Sequence, residues 1–258
     1  MPLRVLMIGD IVGKLGRRTV AALLPDLKRD HRIDLVIANG ENTAGGRGLT
    51  PATAQELYSS GIDIITSGNH IWENREIYPA LDSDERIVRP LNYPEGTPGR
   101  GIRRHKGIAI VNVMGRTFMG AILDCPFRAM DAALVELEGC RIIIVDLHAE
   151  ATSEKIGMGY YLDGRVSAVA GTHTHVPTSD TRILPQGTGY VSDLGMVGAL
   201  HSVLGMRTDA VIERFLTQLP NRFEPEDKGP AIFNSVLIDI DTDSGRALAV
   251  ERLDRELA

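Results

Sequence analysis

The stretch Leu3-Arg4-Val5-Leu6-Met7-Ile8-Gly9-Asp10 decides the fold. Residues 3–8 form a short apolar run, broken only by Arg4, that reads as a buried strand and stops at a glycine and a carboxylate. A helical pattern follows over residues 16–30, so the chain opens as strand, loop, helix. The unit recurs. Residues 33–38 end in Asn39-Gly40-Glu41-Asn42 and lead, through a glycine-rich loop, to a helix predicted to start at Thr50-Pro51. Thr50 can cap that helix and Pro51 can fill its first position. A third run, residues 62–66, ends in Ser67-Gly68-Asn69-His70.

Further strands are predicted over residues 108–114, 141–147 and 166–170, with helices over 131–138 and 150–161 between them. This alternation predicts an α/β fold whose strands are covered on both faces. Beyond Val191 the pattern changes to a helix over 209–219 and two strands, 231–241 and 246–253. A turn at Asp243-Ser244-Gly245 joins those strands and makes them antiparallel. No linker or low-complexity tract divides the chain, so residues 1–258 are expected to form a single domain.

Composition narrows the function classes. Hydrophobic residues at 43% and charged residues at 24% are ordinary for a folded protein. A net charge of -6 disfavours a stable grip on nucleic-acid backbone, though a few local cations or metals would suffice for a small phosphorylated ligand. Cys125 and Cys140 form neither a CxxC nor a disulfide framework. No apolar run approaches the roughly 20 residues of a membrane helix, and the first run lacks a signal-peptide pattern. A cytoplasmic protein without membrane partners is expected.

The informative feature is positional. Apolar runs end, one after another, in Gly9-Asp10, Gly40-Glu41-Asn42, Gly68-Asn69-His70, Asp146-Leu147-His148 and Gly171-Thr172-His173-Thr174-His175. In α/β sheets ligands bind beyond the carboxyl ends of strands, so these groups can converge. Taken singly, Asp10 reads equally as a helix cap, Asn69 as a turn residue and His148 as a satisfied buried histidine. Together, carboxylate, amide oxygen and imidazole without thiolate suit Mn, Fe or Zn. Their number exceeds the need of one tetrahedral ion, and a carboxylate such as Glu41 can bridge two. Two metals about 3.5–4 Å apart perform in-line displacement at phosphate esters. His31, His105 and His201 lack this context, and His31 reads as a charge near a helix C-terminus.

In order, these motifs resemble the signature of the calcineurin-like metallophosphoesterases, and more closely their YmdB-like bacterial branch; Ser192-Asp193-Leu194-Gly195-Met196-Val197-Gly198 resembles that branch too. The resemblance implies a layered α/β/β/α sandwich with a metal site at strand C-terminal ends. It implies Asp10, Glu41 and His175 on one metal, and Glu41, Asn69, His148 and His173 on the other, with a bridging hydroxide as nucleophile. Asn42 is either a ligand of the first metal or a contact to the substrate phosphate, and His70 is the general acid. Val12 stands where the wider superfamily carries a histidine, and Glu41-Asn42 where it carries an aspartate and an asparagine.

The activity so implied is that of a phosphodiesterase or phosphatase. It uses two divalent or mixed-valence ions, Fe or Mn with Zn as the alternative, and 2′,3′-cyclic nucleotides are candidate substrates. Glu73 and Asp146 read equally as supports for metal-bound histidines and as surface or capping groups, and Arg47 as a solvent-facing arginine. A dinucleotide or P-loop site is excluded because Gly9 to Gly16 has the wrong glycine spacing and Gly13-Lys14 lacks the following Ser or Thr. A metal-dependent amide hydrolase and a non-catalytic metal-binding regulator remain as rivals. The segment 89–105 is expected to be either a substrate wall or an interface of a homo-oligomer.

Overall fold

In a computed structural model that describes residues 2–258, the chain runs β1 (Leu3–Ile8), β2 (Asp10–Ile11), α1 (Gly13–His31), β3 (Leu35–Asn39), α2 (Pro51–Ser59), β4 (Ile64–Thr66) and α3 (Tyr78–Ser83). It continues through β5 (Ile102–His105), β6 (Ile108–Met114), α4 (Pro126–Glu136), β7 (Ile143–His148), α5 (Thr152–Leu162) and β8 (Ala168–Thr172). The last third comprises β9 (Arg182–Ile183), β10 (Gly189–Val191), β11 (Met196–Ala199), α6 (Thr208–Thr217), β12 (Ala231–Phe233), β13 (Ser235–Ile240), β14 (Ala247–Arg252) and β15 (Arg255–Leu257).

Two sheets stack face to face. One has the order β14-β13-β1-β3-β4, the other β5-β6-β7-β8-β10-β9. Strand alternation explains the stacking, because successive side chains point to opposite faces. Val5, Met7, Leu35 and Ile37 meet Ile108, Ile110 and Ile144 between the sheets. Leu6, Ile8, Val36 and Ala38 face the other way, into a layer that holds Val20 and Leu24 of α1 and Leu57 of α2. On the far side Val111, Val145 and Leu147 pack against Met130 of α4 and Met158 of α5. The result is the α/β/β/α sandwich, with both faces of each sheet buried.

Local signals account for the helices. Thr50 accepts a hydrogen bond from the Thr53 N–H and Pro51 takes the first turn of α2, as its sequence predicts. α1 starts at Gly13, ahead of the predicted residue 16, and ends with Lys28, Arg29 and His31 in its last turn, where cations are favoured.

One expectation is corrected. Residues 231–241 are two strands rather than one: β12 pairs with β11 and β15, whereas β13 pairs with β1 and β14, and the chain changes sheet at Asn234. The same happens at Gly9, where β1 gives way to β2 in a third sheet of order β15-β12-β11-β2. A Cβ at Gly9 would lie 2.1 Å from the Gly195 carbonyl oxygen, so only glycine permits this crossing. The crossing carries Asp10 toward the ends of the two large sheets.

Candidate metal centre

The same parity that builds the core delivers the polar groups. On β7 the face that buries Ile144 between the sheets next presents Asp146 and then His148; on β8 it presents Thr172 after Ala168 and Ala170. The register of β7 with β8 sets Asp146 beside Ala170 and His148 beside Thr172. Glu41 follows β3, its amide donating to Asn39 Oδ1 at 3.1 Å. The Gly68-Asn69-His70 turn follows β4, and a Cβ at Gly68 would lie 2.2 Å from His148 Nε2, so a glycine is needed there.

Three donor atoms surround one imidazole nitrogen. His148 Nε2 lies 3.0 Å from Glu41 Oε1, 3.0 Å from Asn69 Oδ1 and 3.0 Å from His173 Nδ1. One N–H cannot serve three partners, so the cluster has the form of a cation site. Glu41, His148 and His173 are a group able to hold a metal ion. Ligands about 2.1 Å from an ion and at right angles to each other sit about 3 Å apart, which is the spacing found.

Beside this cluster lies a looser one. His175 Nε2 is 3.7 Å from Asp10 Oδ1 and 3.2 Å from Asn42 Nδ2. Asp10 is fully buried, its Oδ2 accepts from the His173 amide at 3.1 Å, and its Oδ1 has no hydrogen-bond partner. A buried carboxylate oxygen without a partner is costly unless a cation meets it. Glu41, His148 and His173 therefore fit a metal ion, and the free oxygen of Asp10 is a further donor beside them. Val12 is buried, and a Cβ at Gly205 would lie 2.7 Å from its Cγ1.

Electrostatics describe the metal-free protein. Burial disfavours charge on His148, but Glu41, Asp10 and Asp146 outweigh it and raise its pKa to about 9. Burial alone would raise the pKa of Glu41, yet His148 and the His70 amide hold it well below the usual carboxylate range. Burial raises that of Asp10, with His175 and His148 opposing. His173 is pushed down to about 3, by burial and then by the His148 charge.

Groups whose roles the sequence left open or hid support this centre. His148 Nδ1 lies 2.9 Å from Thr172 Oγ1, which donates to Asp146 Oδ1 at 2.7 Å. Because the threonine proton goes to Asp146, Thr172 accepts from Nδ1–H, leaving Nε2 as the ligating nitrogen. Thr66 donates to the other Asp146 oxygen, and burial leads the effects that bring that carboxyl to a pKa of about 6. His173 Nε2 lies 3.2 Å from Glu150 Oε2, and His175 Nδ1 3.0 Å from the Leu204 carbonyl oxygen. Parity with His148 was the available signal for Asp146; nothing local marked Thr172, Glu150 or Leu204.

His70 gives its amide to Glu41 Oε2 at 2.8 Å, while its half-buried ring has Nδ1 3.4 Å from Glu73 Oε1. The ring borders a cavity of about 290 Å³ that is also lined by Glu41, Asn42, His173, His175 and the exposed Arg47. Leu204, Met206 and Phe223 form its apolar side. Segment 89–105 contributes no residue to it.

Layered sheets with a metal-competent cluster at their strand ends match the calcineurin-like metallophosphoesterase fold. A family model described as YmdB-like protein matches residues 6–253, and the chain belongs to that family. It is 46% identical, over 97% of its length and 96% of the relative, to a 2′,3′-cyclic-nucleotide 2′-phosphodiesterase of Bacillus subtilis. Among solved structures it resembles a hypothetical protein of Thermus thermophilus, with 46% identity and a TM-score of 0.90 over 98% of this chain and 99% of that one. It also resembles a novel phosphatase of Mycoplasma pneumoniae, with 32% identity and a TM-score of 0.93 over 99% of this chain and 94% of that one. Among the described residues no helix is long and apolar enough to cross a membrane.

Proposed function

We propose that the chain is a binuclear-metal phosphodiesterase acting on 2′,3′-cyclic nucleotides, with phosphomonoesters as poorer or additional substrates. The observation that carries this reading is the convergence of Glu41, Asn69 and His173, each 3.0 Å from His148 Nε2, next to the unpartnered Asp10 carboxylate oxygen. The substrate class is supported by the printed activity of the 46% identical relative.

In this reading Asp10, Glu41 and His175 hold one ion, and Glu41, Asn69, His148 and His173 the other, with Glu41 shared. Mn or Fe suits these donors, with Zn as the alternative. When bound, the pair supplies a deprotonated water at neutral pH and neutralises charge on the phosphoryl oxygens. Asn42, with its amide beside His175, ligates the first ion or donates to a phosphoryl oxygen. Arg47, at the mouth of the cavity, is available to a phosphate as well. His70, on the cavity wall and paired with Glu73, delivers a proton to the leaving alkoxide.

The test is turnover of bis-p-nitrophenyl phosphate and 2′,3′-cAMP by protein loaded with Mn²⁺ or Fe²⁺. Turnover of both is expected, with His70→Ala slower by about 10²–10⁴-fold, the range for a lost general acid. No turnover with either metal overturns the reading, and cleavage of amides instead would favour a metal-dependent amide hydrolase.

A further inference from the structure

His173 and His175 stand on backbone that L-residues rarely adopt, with φ of 101° at His173 and 64° at His175. Such a conformation persists only where its surroundings over-determine it. The surroundings here are dominated by a buried charged pair. Lys155 of α5 is 2% exposed, and its Nζ lies 2.5 Å from Asp193 Oδ2 and donates to the Thr172 carbonyl oxygen at 2.9 Å. Asp193 Oδ2 also accepts from the Thr174 amide at 3.2 Å, and Oδ1 from the Gly195 amide at 2.8 Å.

The pair therefore grips the backbone on both sides of His173: the carbonyl of the residue before it and the amide of the residue after it. Past His175, the Thr178 amide donates to the Asp193 carbonyl oxygen at 3.1 Å, and Thr178 Oγ1 accepts from the Asp193 amide at 2.9 Å. Loop 172–178 is thus fastened to one residue by side chain and backbone together. Burial of a lysine and a carboxylate contributes little net stability, because desolvation offsets their attraction. What the pair does contribute is a fixed geometry.

We propose that Lys155 and Asp193 are positioning residues for the metal centre, which hold loop 172–175 in its left-handed form so that both imidazoles face the donor cluster before any ion arrives. The inference rests on the assignment of His173 and His175 as ligands made above. Neither residue touches the cavity; each acts through the loop. Preorganisation of this kind spares an entering ion the cost of bending the chain.

Lys155→Met removes the charge and both hydrogen bonds at similar length. Asp193→Asn presents one oxygen where the carboxylate presents two, so a donor meets an NH₂. Mn²⁺ affinity by isothermal titration and the electron paramagnetic resonance spectrum of bound Mn²⁺ are the readouts, with far-UV circular dichroism reporting the fold. Binding weaker by about 10–100-fold with an altered spectrum and an intact fold is expected. Wild-type affinity and spectrum in both variants would overturn the inference while leaving the functional reading untouched; a wild type that takes up no metal would overturn both.

Should either variant fail to fold, amide exchange in the metal-free wild type decides. Exchange of the Thr174 and Gly195 amides, both of which donate to the Asp193 carboxylate, slowed by about 100-fold or more relative to an open loop is expected, and exchange at open-loop rates contradicts the proposal.

Discussion

The donors around His148 and those around Asp10 reach the same cavity from different kinds of structure. The register of β7 with β8 sets Thr172 beside His148, while Glu41 and Asn69 come from the turns after β3 and β4 of the facing sheet, and Glu41 Oε1 and Asn69 Oδ1 each lie 3.0 Å from His148 Nε2. Asp10 comes from a strand that has crossed into the third sheet, and His175 from a left-handed loop held by the Leu204 carbonyl; these two lie 3.7 Å apart. In the first cluster the carboxylates of Glu41, Asp10 and Asp146 favour charge on His148, whose single Nε2–H can serve only one of its three partners. Nothing satisfies Asp10 Oδ1. The fold packs the first set of donors against one another, whereas it leaves Asp10 Oδ1 without a hydrogen-bond partner.

The contrast can be broken most forcefully at Glu41, the residue we propose both halves share. Glu41→Gln is expected to lower kcat/KM on order of 10³-fold or more, the upper range for losing one group that stabilises a transition state. Steady-state kinetics with full metal loading check it. Asp10→Ala should act on one half alone: elemental analysis after loading is expected to fall from two ions per chain to about one, the survivor being held by His148. Loss of both ions would show that the halves do not form independently.

Within the tighter half, Thr172→Val should weaken Mn²⁺ binding by about 10–100-fold, because His148 loses the acceptor that fixes its tautomer. Thr172→Ser should retain the affinity, which isothermal titration measures. The last effect, of about the same size, is the pH dependence. His148 has its pKa raised to about 9 in the metal-free protein, whereas His173 is neutral above about 3. Metal must therefore displace one proton from His148. Affinity is expected to rise about tenfold per pH unit from pH 7 toward 9 and to flatten above it, with about one proton released per chain from that ring. A pH-independent affinity would contradict the charged state of His148.

Much of this organisation is legible in the sequence. Apolar runs ending in Gly9-Asp10, Gly40-Glu41 and Gly68-Asn69 announce strand ends, because a glycine lets the chain turn where a ligand approaches. Strands apolar on both faces announce covered sheets, whereas the two-layer sandwich comes only from the family resemblance. The break at Asn234 was not legible, since two strands separated by one residue read as one, and only pairing with β1 and β11 tells them apart. Thr172 lies in sequence just past the predicted strand 166–170, and nothing marks it until the register of β7 with β8 sets it beside His148. Lys155 looks like a surface residue on an exposed helix, and its burial depends on a carboxylate from a segment 38 residues away. Long-range partners of this sort leave no periodic trace.

The most direct test of the account is anomalous scattering from crystals of the Mn²⁺-loaded protein. Two peaks about 3.5–4 Å apart are predicted, with Glu41 reaching both, His148 and His173 on one and Asp10 and His175 on the other. A single peak, or two peaks of which Glu41 contacts only one, would contradict it.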